Sequence, residues 1–182
     1  RPRGHHWRPT APDTLVWIDA LDKGDPEVPA EFRDRIVLLP MQGKKAKERE
    51  LVRLKYRFSR IYWGEDPKVA LVREYISGEN KHRIRLVNPE EKPEIDPEGR
   101  PAEPDPFLWK FSVQDRYLHP GFPLMRQLAN GKRAMRVVDG EIFLNGWGAS
   151  PKGDRPFLDR FNLETTEKKR LFECGEEGFE AV

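Results

Sequence analysis

Apolar residues in this chain recur at every second position or in short continuous runs, and only one stretch carries them at helical spacing. In Phe107-Leu108-Trp109-Lys110-Phe111-Ser112-Val113 the large residues alternate, which in a strand places Phe107, Trp109, Phe111 and Val113 on one face. Arg83-Ile84-Arg85-Leu86 alternates in the same way. Leu15-Val16-Trp17-Ile18 and Ile36-Val37-Leu38-Leu39 are continuous apolar runs bounded by turn residues, as expected of strands covered on both faces. Lys44 to Tyr56 admits a helix, with Leu51, Leu54 and Tyr56 as a weak stripe.

Turn chemistry separates the runs: Gly24-Asp25-Pro26, Glu65-Asp66-Pro67, Ser77-Gly78-Glu79-Asn80, Asn130-Gly131, Asp139-Gly140 and Gly153-Asp154. Asn-Gly and Asp-Gly supply the positive φ of tight hairpins, so the strands are expected to run up and down as antiparallel neighbours. Between Asn88 and Pro106 six prolines interleave with acids, a text that cannot make a ladder and reads as an exposed loop within one β-unit.

Three stretches share one cadence of strand, polar turn, strand, longer strand, closing strand. The first runs through His6-Trp7-Arg8-Pro9, Leu15 to Asp19, Asp34 to Leu38 and Glu50 to Leu54. The second uses Ile61 to Gly64, Val69 to Val72, His82 to Leu86 and Phe107 to Val113. The third uses Leu124 to Gln127, Ala134 to Val138, Pro156 to Leu163 and Lys169 to Phe172. Repeats of four antiparallel strands predict an all-β chain organised as a partial β-propeller of three blades, approximately 5–58, 59–117 and 121–174. A β-sandwich accepts the same number of short strands.

Composition narrows the partners. The chain has 182 residues, with 33 Lys+Arg against 31 Asp+Glu, and 35% of its residues are charged. A net charge of +2 drawn from interleaved signs supplies no continuous basic field for nucleic acid or anionic lipid. The longest aliphatic run, Ile36 to Leu39, is far short of the roughly 18 to 20 residues of a membrane-spanning helix. A soluble chain is expected. Its single Cys174 excludes an internal disulfide and a Cys-rich zinc site, and leaves the compartment open. Mean hydropathy is −0.80, polar for a self-sufficient globule. Arg1-Pro2 in place of an initiator Met reads as a cut in a longer polypeptide.

The segments Leu15 to Pro26, Ser112 to Tyr117 continuing through Pro120-Gly121, and above all Gly148-Ala149-Ser150-Pro151-Lys152-Gly153-Asp154-Arg155-Pro156-Phe157-Leu158-Asp159-Arg160 resemble the amino-terminal propeller of prolyl-oligopeptidase-family serine peptidases, nearest the glutamyl-endopeptidase and acylaminoacyl-peptidase-like subgroup. The resemblance runs from about Trp7 to Phe172. It implies a parent in which an α/β-hydrolase domain follows a propeller, with a Ser nucleophile on a G-x-S-x-G elbow and then Asp and His. No G-x-S-x-G occurs in this chain, so none of those catalytic roles has a position to occupy.

What the resemblance implies is a non-catalytic propeller piece that gates the access of peptides to a hydrolase domain of the same parent, in a bacterial parent a periplasmic or secreted one. The alternative is a free-standing propeller that binds a protein or glycan through its loops. A partial ring leaves open blade edges, which predicts homodimerisation.

Candidate sites weigh toward structure. Ser150 lacks a neighbouring base and oxyanion donors. Gly148 and Gly153 have the spacing of a phosphate loop, but Asp154 and Arg155 stand where Lys and Ser or Thr belong. His5 and His6 point to opposite faces of a strand, and His82 and His119 are distant, which argues against a metal. Trp63, Trp109, Trp147, Phe111 and Phe157 read as core aromatics, with a ligand groove as the alternative. The basic runs at Lys44-Lys45-Ala46-Lys47 and Lys168-Lys169-Arg170 read as solvated turns. The pairs Asp115-Arg116, Asp154-Arg155 and Asp159-Arg160 suit bridges between blades or the fixing of a turn, with arginines that draw acidic peptides toward a central tunnel as the functional alternative. No catalytic, cofactor-binding or metal-ligating residue is assigned.

Overall fold

The structure is a computed structural model that describes residues 2–41, 46–93 and 107–175. Most of the Pro-rich 88–106 loop, and the Lys44-Lys45 part of the first basic run, lie outside the described residues. The chain is all-β; the one helical element among the described residues is a 3-10 turn at Ser77–Glu79, and no helix is long and apolar enough to cross a membrane.

Strands β1 (Arg3–Trp7), β2 (Thr14–Ala20), β3 (Asp34–Pro40) and β4 (Arg49–Leu54) form an antiparallel meander in sequence order. Strands β5 (Arg57–Trp63), β6 (Ala70–Ile76), β7 (Lys81–Val87) and β8 (Phe107–Ser112) form a second. Residues Arg49–Leu54 thus lie in a strand and not in the alternative helix. A register shift opposite Ile36 and Val37 lets Leu51, Val52 and Leu54 all bury, at 3% exposure or less.

The third sheet departs from the sequence expectation. It begins with β9 (Phe122–Pro123), is interrupted by a hairpin of β10 (Met125–Gln127) and β11 (Arg133–Met135), and resumes as β12 (Val137–Val138). Both β9 and β12 pair with the same edge of β13 (Glu141–Gly146), so the first strand of this sheet is a split one. Arg136 N donates to Leu124 O at 2.9 Å and closes the base of the inserted hairpin. A second small hairpin, β14 (Ala149–Ser150) and β15 (Gly153–Asp154), precedes β16 (Phe157–Asn162) and β17 (Lys168–Glu173).

The sequence reading placed a second strand at 134–138 and passed over β13. Asp139 and Gly140, with φ of 51° and 76°, instead make the tight turn from β12 into β13. Ile142 and Leu144, at 0% and 1% exposure, are then central to the sheet. Pro123 is tolerated because β9 lies at an edge, where a missing N–H breaks no ladder.

The three sheets stack in sequence order, and the middle one is covered on both faces. Ala70 and Val72 of β6 join Val16, Ile18, Ile36 and Leu38 of the first sheet in one core. Leu71, on the opposite face of the same strand, joins Tyr62, Ile142, Leu144 and Phe161 in a second. A two-layer sandwich has one core between its sheets; two cores around a shared four-stranded meander are the packing of successive propeller blades. Each fully buried aliphatic side chain contributes about 1.5 to 3 kcal/mol.

Because the meanders alternate direction, one rim collects the connections 21–33, 77–80 and 147–156 with the inter-sheet linkers 55–56 and 113–121. The opposite rim collects 8–13, 64–69, 139–140 and 163–167.

Candidate functional site: a cleft between the second and third sheets

The linker 113–121 folds on its own side chains. Asp115 Oδ1 accepts from the backbone N–H of Tyr117 at 2.9 Å and of Leu118 at 3.2 Å, and His119 Nδ1 accepts from Gly121 N at 3.0 Å. Gly121 has φ of 95°, and a Cβ there would stand 2.9 Å from Asn145 O, so only glycine lets the linker pass this close to β13. Gly148 is more constrained still. With φ of 60° its Cβ would meet Arg155 O, while Arg155 N donates to Gly148 O at 2.9 Å across the base of the small hairpin.

These approaches leave a cleft of about 150 Å³ lined by Val113, Arg116, His119, Phe122, Trp147 and Phe157, among others. Three large exposed apolar side chains line it, Val113, Phe122 and Trp147, the last at 60% exposure, and exposed Tyr117 and Leu118 belong to the same linker. Such a concentration on one rim marks an interaction surface rather than scattered surface residues. One wall is a chain of rings, with Phe111 edge-on to His119 at 4.8 Å and His119 against Phe122 at 4.6 Å. Burial lowers the pKa of His119, and the positive charges of Arg73 and His82 push the same way. The lowered pKa favours the neutral ring, whose Nδ1 accepts the Gly121 N–H.

Each residue singled out from sequence has a place. Ser150 Oγ donates to Gly153 O at 2.7 Å and accepts from Lys152 N at 3.2 Å, the bonds of a turn former. Gly148 and Gly153 bracket a hairpin rather than opening a helix, and Asp154 is held by Arg116 at 2.8 Å. His6 Nε2 accepts from Trp63 Nε1 at 3.1 Å, and His5 stacks on Trp17. Trp63, Phe111 and Phe157 are core residues, and Trp109 packs on Phe161 with centroids 4.7 Å apart. Trp147 alone of the five is open to solvent.

The ion pairs made by Arg116, Asp154, Asp159 and Arg160 lie within the third sheet and the linker that enters it, not between sheets. Arg116 to Asp154 ties the linker to the hairpin, Arg160 reaches Glu141 at 3.2 Å, and fully buried Asp159 takes Arg170 and, at 3.5 Å, Lys168. The run Lys168-Lys169-Arg170 is thus an outer strand whose cations partly neutralise a buried carboxylate.

Ion networks that no sequence pattern announces lie at the first junction, on the same rim. Asp34, fully buried, accepts from Arg3 at 2.6 Å, Arg57 at 3.2 Å and the Phe58 N–H at 2.7 Å. Asp22 takes Arg33 at 2.9 Å and Arg57 at 2.5 Å. Burial by itself would raise the Asp22 pKa; hydrogen bonds from Arg57, Arg33 and the Gly24 N–H outweigh it and hold the carboxyl below its ordinary value. Glu74 collects Arg83 at 3.2 Å, Arg85 at 2.5 Å and the Tyr56 N–H at 3.0 Å, with both guanidiniums over the Phe107 ring. Apart from Gly24, two residues from Asp22, these partners are 9 to 35 positions apart in sequence, so no local pattern reveals them.

No family model matches the chain. It is 30% identical over 183 residues to a probable chloroplastic glutamyl endopeptidase of Oryza sativa subsp. japonica, covering 97% of this chain and 18% of that protein. A protein of the same description from Arabidopsis thaliana is 28% identical over 184 residues, with the same coverage of 97% and 18%. The chain is therefore similar to named peptidases along nearly its whole length, and spans 18% of the length of these relatives. Among solved structures, TolB from Acinetobacter baumannii aligns at a TM-score of 0.40 and 14% identity, over 90% of this chain and 31% of that one. An oligogalacturonate lyase in complex with manganese aligns at 0.41 and 15%, over 95% and 36%. At these scores neither adds to the fold argued from the sheets.

Proposed function

We propose that this chain is a non-catalytic propeller portion of a prolyl-oligopeptidase-like serine peptidase, and that it covers a hydrolase domain of the same parent so that short or unfolded peptides gain entry and folded proteins do not. The observation that carries the reading is the similarity to glutamyl endopeptidases over 97% of the chain, on a scaffold of stacked four-stranded meanders. The rim with the Trp147 cleft supports it physically, because an exposed apolar patch is the surface a docked domain would cover.

A fluorophosphonate probe for activated serines tests the reading. The 182-residue chain should stay unlabelled, and the protein encoded by the complete gene should be labelled at a Ser outside these residues. Labelling within this chain, or a complete protein that remains unlabelled, overturns it. The second of those results favours the free-standing binding module, for which the open aromatic cleft would be the binding site.

A further inference from the structure

Charge in this protein is closely matched. Arg33, Arg57, Arg83, Arg85, Arg116 and Arg170 all reach carboxylates. Arg60, Arg73 and Arg133 do not. Arg73 Nε donates to Ser59 Oγ at 3.2 Å, and the Arg60 guanidinium lies 5.4 Å from the Tyr62 ring centroid. None of the three forms an ion pair among the described residues.

The three are close together. Arg60 and Arg73 stand directly opposite each other in the β5–β6 ladder, a like-charge arrangement that costs stability. Burial lowers the pKa of Arg73; Tyr62 opposes this, and the Arg60 charge pushes it down further. Arg60 and Arg133 line a groove of about 400 Å³ between β5 and the inserted hairpin, together with Ile61, Tyr62, Phe122 and Met125. No acidic residue lines it.

The backbone says what kind of anion fits. Three consecutive residues of β5 line the groove, although Tyr62 packs toward the third sheet and Ile61 toward the first. A groove that meets both faces of a strand meets it edge-on. β5 is the terminal strand of its sheet, so its outer edge carries backbone N–H and C=O groups that no strand pairs among the described residues. An unpaired strand edge flanked by unpaired cations is complementary to an extended peptide with acidic side chains. A phosphate or small dicarboxylate would use the guanidiniums and leave the edge unpaired.

We propose that this groove binds an extended acidic peptide by strand addition to β5, with the peptide's carboxylates on Arg60 and Arg133 and its apolar side chains against Phe122 and Met125. The inference rests on the groove alone and stands apart from the peptidase reading.

Calorimetric titration of the 182-residue chain with acetyl-Glu-Leu-Glu-Leu-Glu-amide, its Gln counterpart and propane-1,2,3-tricarboxylate tests it. The Glu peptide should bind about tenfold or more tightly than the Gln peptide, the difference expected for charge-assisted bonds. Hydrogen exchange should slow at β5 amides with the peptide and not with the tricarboxylate. Arg133→Gln, at an exposed position, should remove most of the preference for Glu with thermal stability unchanged; Arg60→Gln should do the same and melt no lower than the parent. Equal affinity for the Glu and Gln peptides overturns the proposal. So does tricarboxylate binding as tight as the peptide's with no protection at β5, which would make the groove a small-anion site.

Discussion

At the residue scale the protein is governed by where it allows charge inside. Asp34, Glu74 and Asp159 are fully buried, and each is surrounded by guanidinium or backbone N–H donors, because a buried carboxylate without them would be expelled or protonated. The histidines follow the opposite rule. His82 and His119 sit where burial, reinforced by nearby Arg73, lowers their pKa, so folding favours their neutral forms. A base whose folded pKa lies below its unfolded value of about 6.5 stabilises the fold fully above that pH. The unfolded state takes up protons first as pH falls through 6.5, and stability declines until the lowered folded pKa is passed. Urea unfolding should therefore show a lower midpoint at pH 5.5 than at pH 7.5, and His119→Gln should flatten that difference. An unchanged pH dependence in the variant would show that His119 is not a source of it.

At the scale of elements, the split first strand of the third sheet is the distinctive construction. Strands β9 and β12 share one edge of β13, and the hairpin between them leans on the second sheet. Met135 bridges to Gly64, its carbonyl accepts from Glu65 N at 2.8 Å, and Glu65 Oε1 in turn accepts from Val137 N at 3.1 Å. The Met135 side chain is fully buried in the second core. Met135→Ala should cost about 2 to 5 kcal/mol, the range for deleting a large buried side chain. Denaturant titration measures it; a loss below 1 kcal/mol would mean that the hairpin is an appendage and not part of the junction.

The whole molecule is a stack of three sheets in which only the middle one has both faces covered by neighbours. On the far face of the third sheet Phe143, Leu158 and Phe172 are half-buried, whereas on the far face of the first Trp17 and Val37 are already buried, among Asp19, Arg35, Glu50 and the His5 ring. A ring of blades would cover such faces. As an isolated chain the protein should self-associate through the far face of the third sheet, and sedimentation velocity across a concentration series should show a dimer growing with concentration. A monomer that persists at high concentration would indicate that the outer faces are already adequately solvated.

Much of this was legible in the sequence because it is local. Period-2 alternation marks strands, turn residues mark their ends, and strands joined by short turns become antiparallel neighbours; the β1–β2, β5–β6 and β6–β7 pairs follow from those rules, whereas β2–β3 and β7–β8 close across long connections. The third sheet does not follow from them, because the residues at 125–135 also read as a strand pair, and only packing against Gly64 and β13 decides which pair forms the sheet and which is inserted. The same reason governs the sites. A sequence shows how many arginines a chain has and singles out Asp115-Arg116 and Asp154-Arg155 as bridging groups, but that Arg116 pairs with Asp154 is set by contacts between residues far apart in the chain. Only the tertiary structure decided that the buried carboxylates at the junctions are answered by opposite charges, and that, among the described residues, Arg60, Arg73 and Arg133 form no ion pair.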